Sequence, residues 1–168
     1  MGNSPVLKME SAVEEPTREF SLANKKLKLD TAVDVEEYVS VISKISNLTV
    51  VSLNGNTIGV DAAKALAESL RPQKTIREVY LNDCFTGRFK EEVPVAIEAF
   101  CKVFMTLPNL VKVDFSDNAF GPVGAKAVYE YLSNAASLQE LRLNNNGLGP
   151  EGGKLIGEAL LNCQQNNK

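Results

Sequence analysis

Apolar residues along this chain follow two alternating rhythms. From Asn109 onward, Leu110, Val113 and Phe115 are followed by Asp117-Asn118 and then by Phe120-Gly121-Pro122. The same order returns 28 residues later as Leu138, Leu141 and Leu143, then Asn145-Asn146 and Leu148-Gly149-Pro150. Alternation of period two predicts a short strand whose apolar residues turn inward. Carried backward, the template finds Leu48, Val51, Leu53, Asn56, Ile58 and Gly59, and then Ile76, Val79, Leu81, Cys84, Thr86 and Gly87. After each strand the period lengthens to that of a helix. Ala63, Leu66 and Leu70 are matched by Ile97, Phe100 and Phe104, then Ala125, Val128 and Leu132, then Gly153, Ile156 and Leu160. Spacing of i, i+3, i+7 makes each triplet an apolar stripe facing the strands. One step earlier Val35, Tyr38 and Ile42 fit the same slots, with Leu27 and Leu29 as their strand. Thr31 or Asp34 is expected to cap that first helix, which ends near Ile45, and Phe20 and Leu22 to cover the open end of the first coil.

About five such strand-turn-helix units make a leucine-rich repeat array, an α/β solenoid in which each unit touches only its neighbours. The residue after each strand, Asn56, Cys84, Asn118 or Asn146, is assigned to a structural ladder that bonds the backbone of adjacent coils. The array is expected over residues 20–163. A disordered lead-in over 1–19, with two prolines and no periodicity, precedes it, and a short disordered tail over 164–168 follows. The third unit is irregular: Ile76 to Leu110 spans 34 residues, and six extra ones lie within Arg88-Phe89-Lys90-Glu91-Glu92-Val93-Pro94. Insertions at a fixed point of a repeat map to loops on one rim, often the binding rim.

Composition narrows the function. The 168 residues are 44% hydrophobic, which suits one soluble domain with a core. A net charge of -3 argues against nucleic-acid binding, which needs a concentrated basic face. The sequence has no apolar run long enough to span a membrane and no secretory signal, so a cytosolic or nuclear address is the default. Met1-Gly2 is not read as a myristoylation signal, because Val6 stands where Ser or Thr is needed. Cys84, Cys101 and Cys163 have no metal-ligand spacing and are expected as reduced structural thiols. With no histidine and no G-x-x-x-x-G-K-[ST] loop, the chain has neither the commonest general base nor a phosphate cradle. A self-contained enzyme is therefore not expected.

Three groups of polar residues remain as candidate contacts. Arg88 and Lys90 stand where the repeat breaks, although on composition alone they are ordinary loop charges. Asn145 is displaced by one residue from the ladder and shares a rim row with Gly55, Asp83 and Asp117; that row is not required by the coil, and simple surface is its plainest reading. The strand face offers Ser52, Asn54, Tyr80, Asn82, Asp114, Ser116, Arg142 and Asn144, a mixed polar surface that suits a protein better than a small apolar ligand.

Leu53-Asn-Gly55-Asn56-Thr-Ile58-Gly59, then Phe85-Thr-Gly-Arg88, then Ser116-Asp-Asn-Ala-Phe-Gly-Pro122, then Asn144-Asn-Asn-Gly-Leu-Gly-Pro150 resemble, in that order and at those separations, the Ran GTPase-activating protein family. The match runs from about Phe20 to Leu160. The resemblance implies a right-handed βα horseshoe of the ribonuclease-inhibitor form that binds the GTP form of Ran and accelerates its GTP hydrolysis. Such a protein acts as a monomer without a cofactor of its own, GTP and Mg2+ belonging to the GTPase. It implies a cytoplasmic protein, with the nuclear envelope a further address. It further implies that no arginine finger is inserted. Asn145 instead matches the asparagine that orients the GTPase's own glutamine toward the attacking water, with Arg88, Lys90, Asp83 and Asp117 as the residues expected to bind the partner. Members of the family usually carry about twice this number of repeats and an acidic tail, so a fragment or short isoform is expected. The competing reading is a non-catalytic interaction scaffold.

Overall fold

The computed structural model describes residues 18–166. Strands β1 (Glu19–Ser21), β3 (Val50–Ser52), β5 (Glu78–Tyr80), β6 (Lys112–Asp114) and β7 (Glu140–Arg142) form one five-stranded sheet in that order, every neighbouring pair parallel. Helices α1 (Glu36–Lys44), α2 (Val60–Leu70), α3 (Glu92–Phe104) and α4 (Gly121–Asn134) return the chain between strands, and α5 (Gly149–Asn166) follows the last of them. Strands β2 (Lys28–Leu29) and β4 (Thr57–Ile58) pair separately, also in parallel. This is a leucine-rich repeat solenoid of five coils. Phe20, Val51, Val79, Val113 and Leu141 stack in register along the sheet, and the first four are buried. Every inward side chain therefore meets the equivalent one of the next coil, as a stack of identical units requires.

The helix stripes close the core from the other side. Ala63, Leu66, Leu70, Ile97, Phe100, Phe104, Ala125, Val128 and Leu132 are all buried. Phe104 is the hub: its ring centroid lies 6.0 Å from Phe100, 6.3 Å from Phe115 and 5.7 Å from Tyr131. Cys84 and Cys101 are buried in this interior, and loss of hydration pushes both thiols up. Both are protonated, inert packing groups at neutral pH.

The structure departs from the sequence reading at both ends and at the insertion. The first strand of the main sheet is Glu19–Ser21, not Leu27 to Leu29. Phe20 and Leu22 therefore take the places of Val51 and Leu53 and are not a cover over the first coil. Leu29 belongs to the second, shorter sheet, opposite Ile58. The first unit departs from the template because its turn is longer, which leaves two alternating apolar pairs as rival strands. The expected lead-in lies outside the described residues except for Arg18 and Glu19, which belong to the fold: Arg18 donates from its backbone N–H to Thr49 Oγ1 at 2.9 Å and from its guanidinium to Ser46 Oγ at 2.9 Å. Of the expected tail, residues 164–166 are helical.

Asp34 Oδ2 accepts the backbone N–H groups of Asp30 and Thr31 at 2.9 and 2.7 Å, which builds a turn ahead of a short 3-10 helix at Val33–Val35; α1 itself begins at Glu36 with no side-chain cap, so neither Thr31 nor Asp34 caps it as expected. Within the third unit, Glu92, Val93 and Pro94 are already helical. Proline fits a first helical turn because its missing N–H has no partner there to lose. Part of the insertion is thus an earlier helix start, and the free loop is shorter than expected. In α5, Gly152 and Ala159 are buried against α4, while Gly153 and Leu160 of the predicted stripe are exposed and Ile156 is half-buried. That stripe faces the position a following coil occupies in a solenoid.

Candidate functional site

The turns that leave the strands carry the candidate residues, and their backbone explains their composition. Across the five coils, Asn24, Gly55, Asp83, Asp117 and Asn145 take φ values of 58°, 71°, 51°, 60° and 53°. This is the left-handed region, which glycine enters freely and Asn and Asp tolerate better than other residues. The backbone N–H groups of Asn24, Gly55, Asp83 and Asp117 donate to the carbonyls of Asn54, Asn82, Ser116 and Asn144, at 2.8, 3.2, 3.0 and 2.9 Å, so the ladder continues past the strand ends. The sequence reading that the coil does not require this row is therefore corrected. The coil demands a Gly, Asn or Asp type there and leaves open which of them.

Asp117 and Asn145 are brought together by that geometry. Both are exposed, and Asn145 Nδ2 donates to Asp117 Oδ1 at 3.0 Å. Behind them, Thr57 Oγ1 donates to the Thr86 carbonyl at 2.9 Å and Thr86 Oγ1 to the Asp117 carbonyl at 3.2 Å. A run of side-chain bonds thus ties the start of the third unit's insertion to the turn that bears Asp117.

Below the rim, the ladder residues hold the turns in place. Asn118 Nδ2 donates to the carbonyls of Leu81 and Phe115, both at 2.8 Å, and its Oδ1 accepts the N–H groups of Cys84 and Phe85 at 2.8 and 3.0 Å. Asn146 donates to Phe115 and accepts from the backbone of Asn118; Asn56 donates to Leu22 and Leu53 and accepts from Leu27. Cys84 contributes a thiol donor to the Leu53 carbonyl at 3.2 Å.

Arg88 does not stand out from the loop as a docking arginine. Its side chain is 9% exposed and turns back toward the first two coils, where it pairs with the Asp30 carboxylate and donates to the carbonyls of Leu29 and Thr57 at 3.2 and 2.9 Å. Gly59 permits this approach: a β-carbon there would lie 2.9 Å from the Asp30 carbonyl and 3.2 Å from the guanidinium. The insertion's arginine is therefore an internal tie spanning 58 residues of sequence, and nothing in the local sequence of Asp30 announces the partnership. The bond from Arg88, with help from Lys28, holds the Asp30 carboxyl below its ordinary value of 3.8. A lowered folded-state pKa stabilises the fold above the unfolded value and loses that contribution as pH falls through the lowered one. Asp30→Asn is accordingly expected to lower the urea midpoint at pH 7, with the gap to wild type closing as both are titrated well below 3.8; a gap of constant size would rule out the pair as its source.

Lys90 and Asp83 are exposed, and Phe89 between the two basic residues is 77% exposed. The insertion and α4 enclose an open groove of about 870 Å³, lined by Phe85, Lys90, Val93, Phe120 and Lys126 among others. The strand face is more self-sufficient than its polar sequence suggests. Lys112 sits 3.8 Å from Glu78 and 3.4 Å from Glu140, over the Tyr80 ring, while Arg142 pairs with Glu140 at 2.6 Å. Ser52, Asp114 and Ser116 are buried in this lattice, with Ser52 donating to Glu19 at 2.8 Å. Charges on that face largely neutralise one another. The rim offers the less committed groups. Among the described residues, no helix is long and apolar enough to cross a membrane, and no three His, Cys, Asp or Glu side chains are placed to hold a metal.

Comparison with known proteins gives this geometry a family. The leucine-rich repeat model matches residues 44–67, 106–128 and 134–157. Ran GTPase-activating protein 2 of Caenorhabditis elegans is 43% identical over 118 residues, 70% of this chain and 12% of the relative. Ran GTPase-activating protein 1 of Xenopus laevis is 40% identical over 152 residues, 89% of this chain and 26% of the relative. The protein of that name from Saccharomyces cerevisiae is 35% identical over 158 residues, 92% and 39% respectively. The chain belongs to the Ran GTPase-activating protein family. It spans between 12% and 39% of the length of these three relatives.

Proposed function

We propose that this chain acts on the small GTPase Ran in its GTP form, as the part of a GTPase activator that completes its partner's active site. The observation that carries the reading is the exposed Asn145 amide, held at one edge by Asp117 on the rim, within a chain whose relatives are named for this activity. A primary amide offers one acceptor and two donors. It can hold the amide of the GTPase's glutamine, and through it the attacking water, without placing a charge beside the phosphates. Fixing a reactant's orientation lowers the entropic part of the barrier.

The position of Arg88 supports activation without an arginine finger. A finger reaches into the partner to neutralise charge on the transferring phosphoryl group, a device worth roughly 10³ to 10⁵ in rate. Here the guanidinium is already spent on Asp30, Leu29 and Thr57. Docking falls instead to Lys90, Asp83 and the rest of the rim. GTP and Mg2+ belong to the partner.

Phosphate release from GTP-loaded Ran, measured with and without the chain, tests the reading. The expected result is stimulation of Ran, none of an unrelated small GTPase, and no release by the chain alone. Binding to Ran-GTP without any stimulation would reduce the chain to a scaffold.

A further inference from the structure

We infer that Asp117 is a positioning residue for Asn145, fixing which end of the Asn145 amide faces the partner. The inference rests on the proposed role of Asn145 and deepens it.

An asparagine amide has two ends of nearly equal size, and a rotation of its outer bond exchanges a donor for an acceptor. On an open rim both orientations are accessible, and only one matches a given partner. Asp117 removes the ambiguity by chemistry. An ionised carboxylate accepts hydrogen bonds and cannot donate them, so only the nitrogen end of Asn145 can face it, as the 3.0 Å contact from Nδ2 to Oδ1 records. The carbonyl oxygen and the second N–H then remain for the partner. That is one acceptor and one donor, the complement of another primary amide.

The carboxylate is itself well placed to serve as a reference point. Asp117 stands one coil before Asn145 in the same left-handed row. Its N–H is bonded to the Asn144 carbonyl at 2.9 Å, its own carbonyl accepts Thr86 Oγ1, and the adjacent Asn118 is buried with both ends of its side chain bonded. The sequence placed Asp117 among partner contacts; the geometry points instead to a group that acts through its neighbour.

Asp117→Asn is the decisive variant, because Asn tolerates the left-handed backbone and keeps the size of the side chain but presents a donor as well as an acceptor. Either orientation of Asn145 then finds a bond. With the full chain and Ran-GTP in single-turnover assays, the expected result is a fall of about twofold in the maximal rate, the share lost when two orientations of similar energy are populated. The concentration for half-saturation should not change. In the uncomplexed protein, the side-chain amide signal of Asn145, assigned by its loss in Asn145→Gly, should move toward the position of a solvated asparagine. Wild-type maximal rate in Asp117→Asn, or a change confined to half-saturation, overturns the inference, the latter returning Asp117 to the contacts. Should Asn145→Gly itself hydrolyse at the wild-type rate, the orienting role of Asn145 fails and the inference fails with it. The amide signal then reports whether the contact was nonetheless correct.

Discussion

Asn145→Gly is expected to lower the maximal rate of GTP hydrolysis by Ran in the presence of the chain by on the order of 10²-fold while leaving half-saturation within about twofold, the pattern of a group that orients rather than binds. Glycine is the right replacement here. Asn145 sits at φ 53°, where alanine adds backbone strain and confounds loss of the amide with distortion of the turn, whereas glycine enters that region without cost. The rest of the turn should persist, because Asn144 still accepts from Asp117 and Asn146 from its own ladder position still bonds Phe115 and Asn118. Single-turnover hydrolysis on Ran-GTP at saturating chain measures the effect. A loss that appears only below saturation would make Asn145 an affinity contact. An unchanged rate would remove the amide from the mechanism altogether.

The solenoid was legible because its two rhythms are redundant. Val51, Val79 and Val113 are placed by alternation, Leu66, Phe100 and Val128 by helical spacing, and the same template recurs coil after coil, so an error in one unit is corrected by its neighbours. That redundancy fails at the ends. The first coil has Phe20–Leu22 and Leu27–Leu29 as rival strands, and only the pairing of Phe20 with Val51 and of Leu29 with Ile58 decides that both are strands, in different sheets.

The ladder asparagines and the insertion were also visible as periodic and aperiodic features. What sequence could not supply was direction. Arg88 and Lys90 are two residues apart in one loop, yet the guanidinium turns inward to Asp30 while Lys90 stays exposed, because only one of them finds a carboxylate and two carbonyls within reach. The row of Gly55, Asp83, Asp117 and Asn145, to which the structure adds Asn24, carries a legible signal. A position occupied only by Gly, Asn and Asp in successive coils is the mark of a left-handed backbone. Recognising it separates the reason Asn145 is an asparagine-like residue from the reason its amide is useful.

Asn118→Ala should be the most damaging single change to the rim's stability, costing about 3 to 5 kcal/mol. Two buried backbone donors, Cys84 and Phe85, both depend on its Oδ1, and the Leu81 carbonyl receives its Nδ2; each buried group left without a partner costs roughly 1 to 3 kcal/mol. The Phe115 carbonyl is spared, since Asn146 also donates to it. In urea the midpoint should drop by about 1 to 2 M at an unchanged slope. Asn56→Ala provides the internal control, because among the described residues its Oδ1 accepts from Leu27 alone and a smaller loss is expected there. Equal losses would mean that the two N–H groups at the root of the insertion find other partners. The functional consequence follows from where those groups sit. Cys84 and Phe85 lead directly into Thr86, whose hydroxyl reaches the Asp117 carbonyl, so loosening them releases the insertion from the turn that holds Asp117 and, through it, the amide of Asn145.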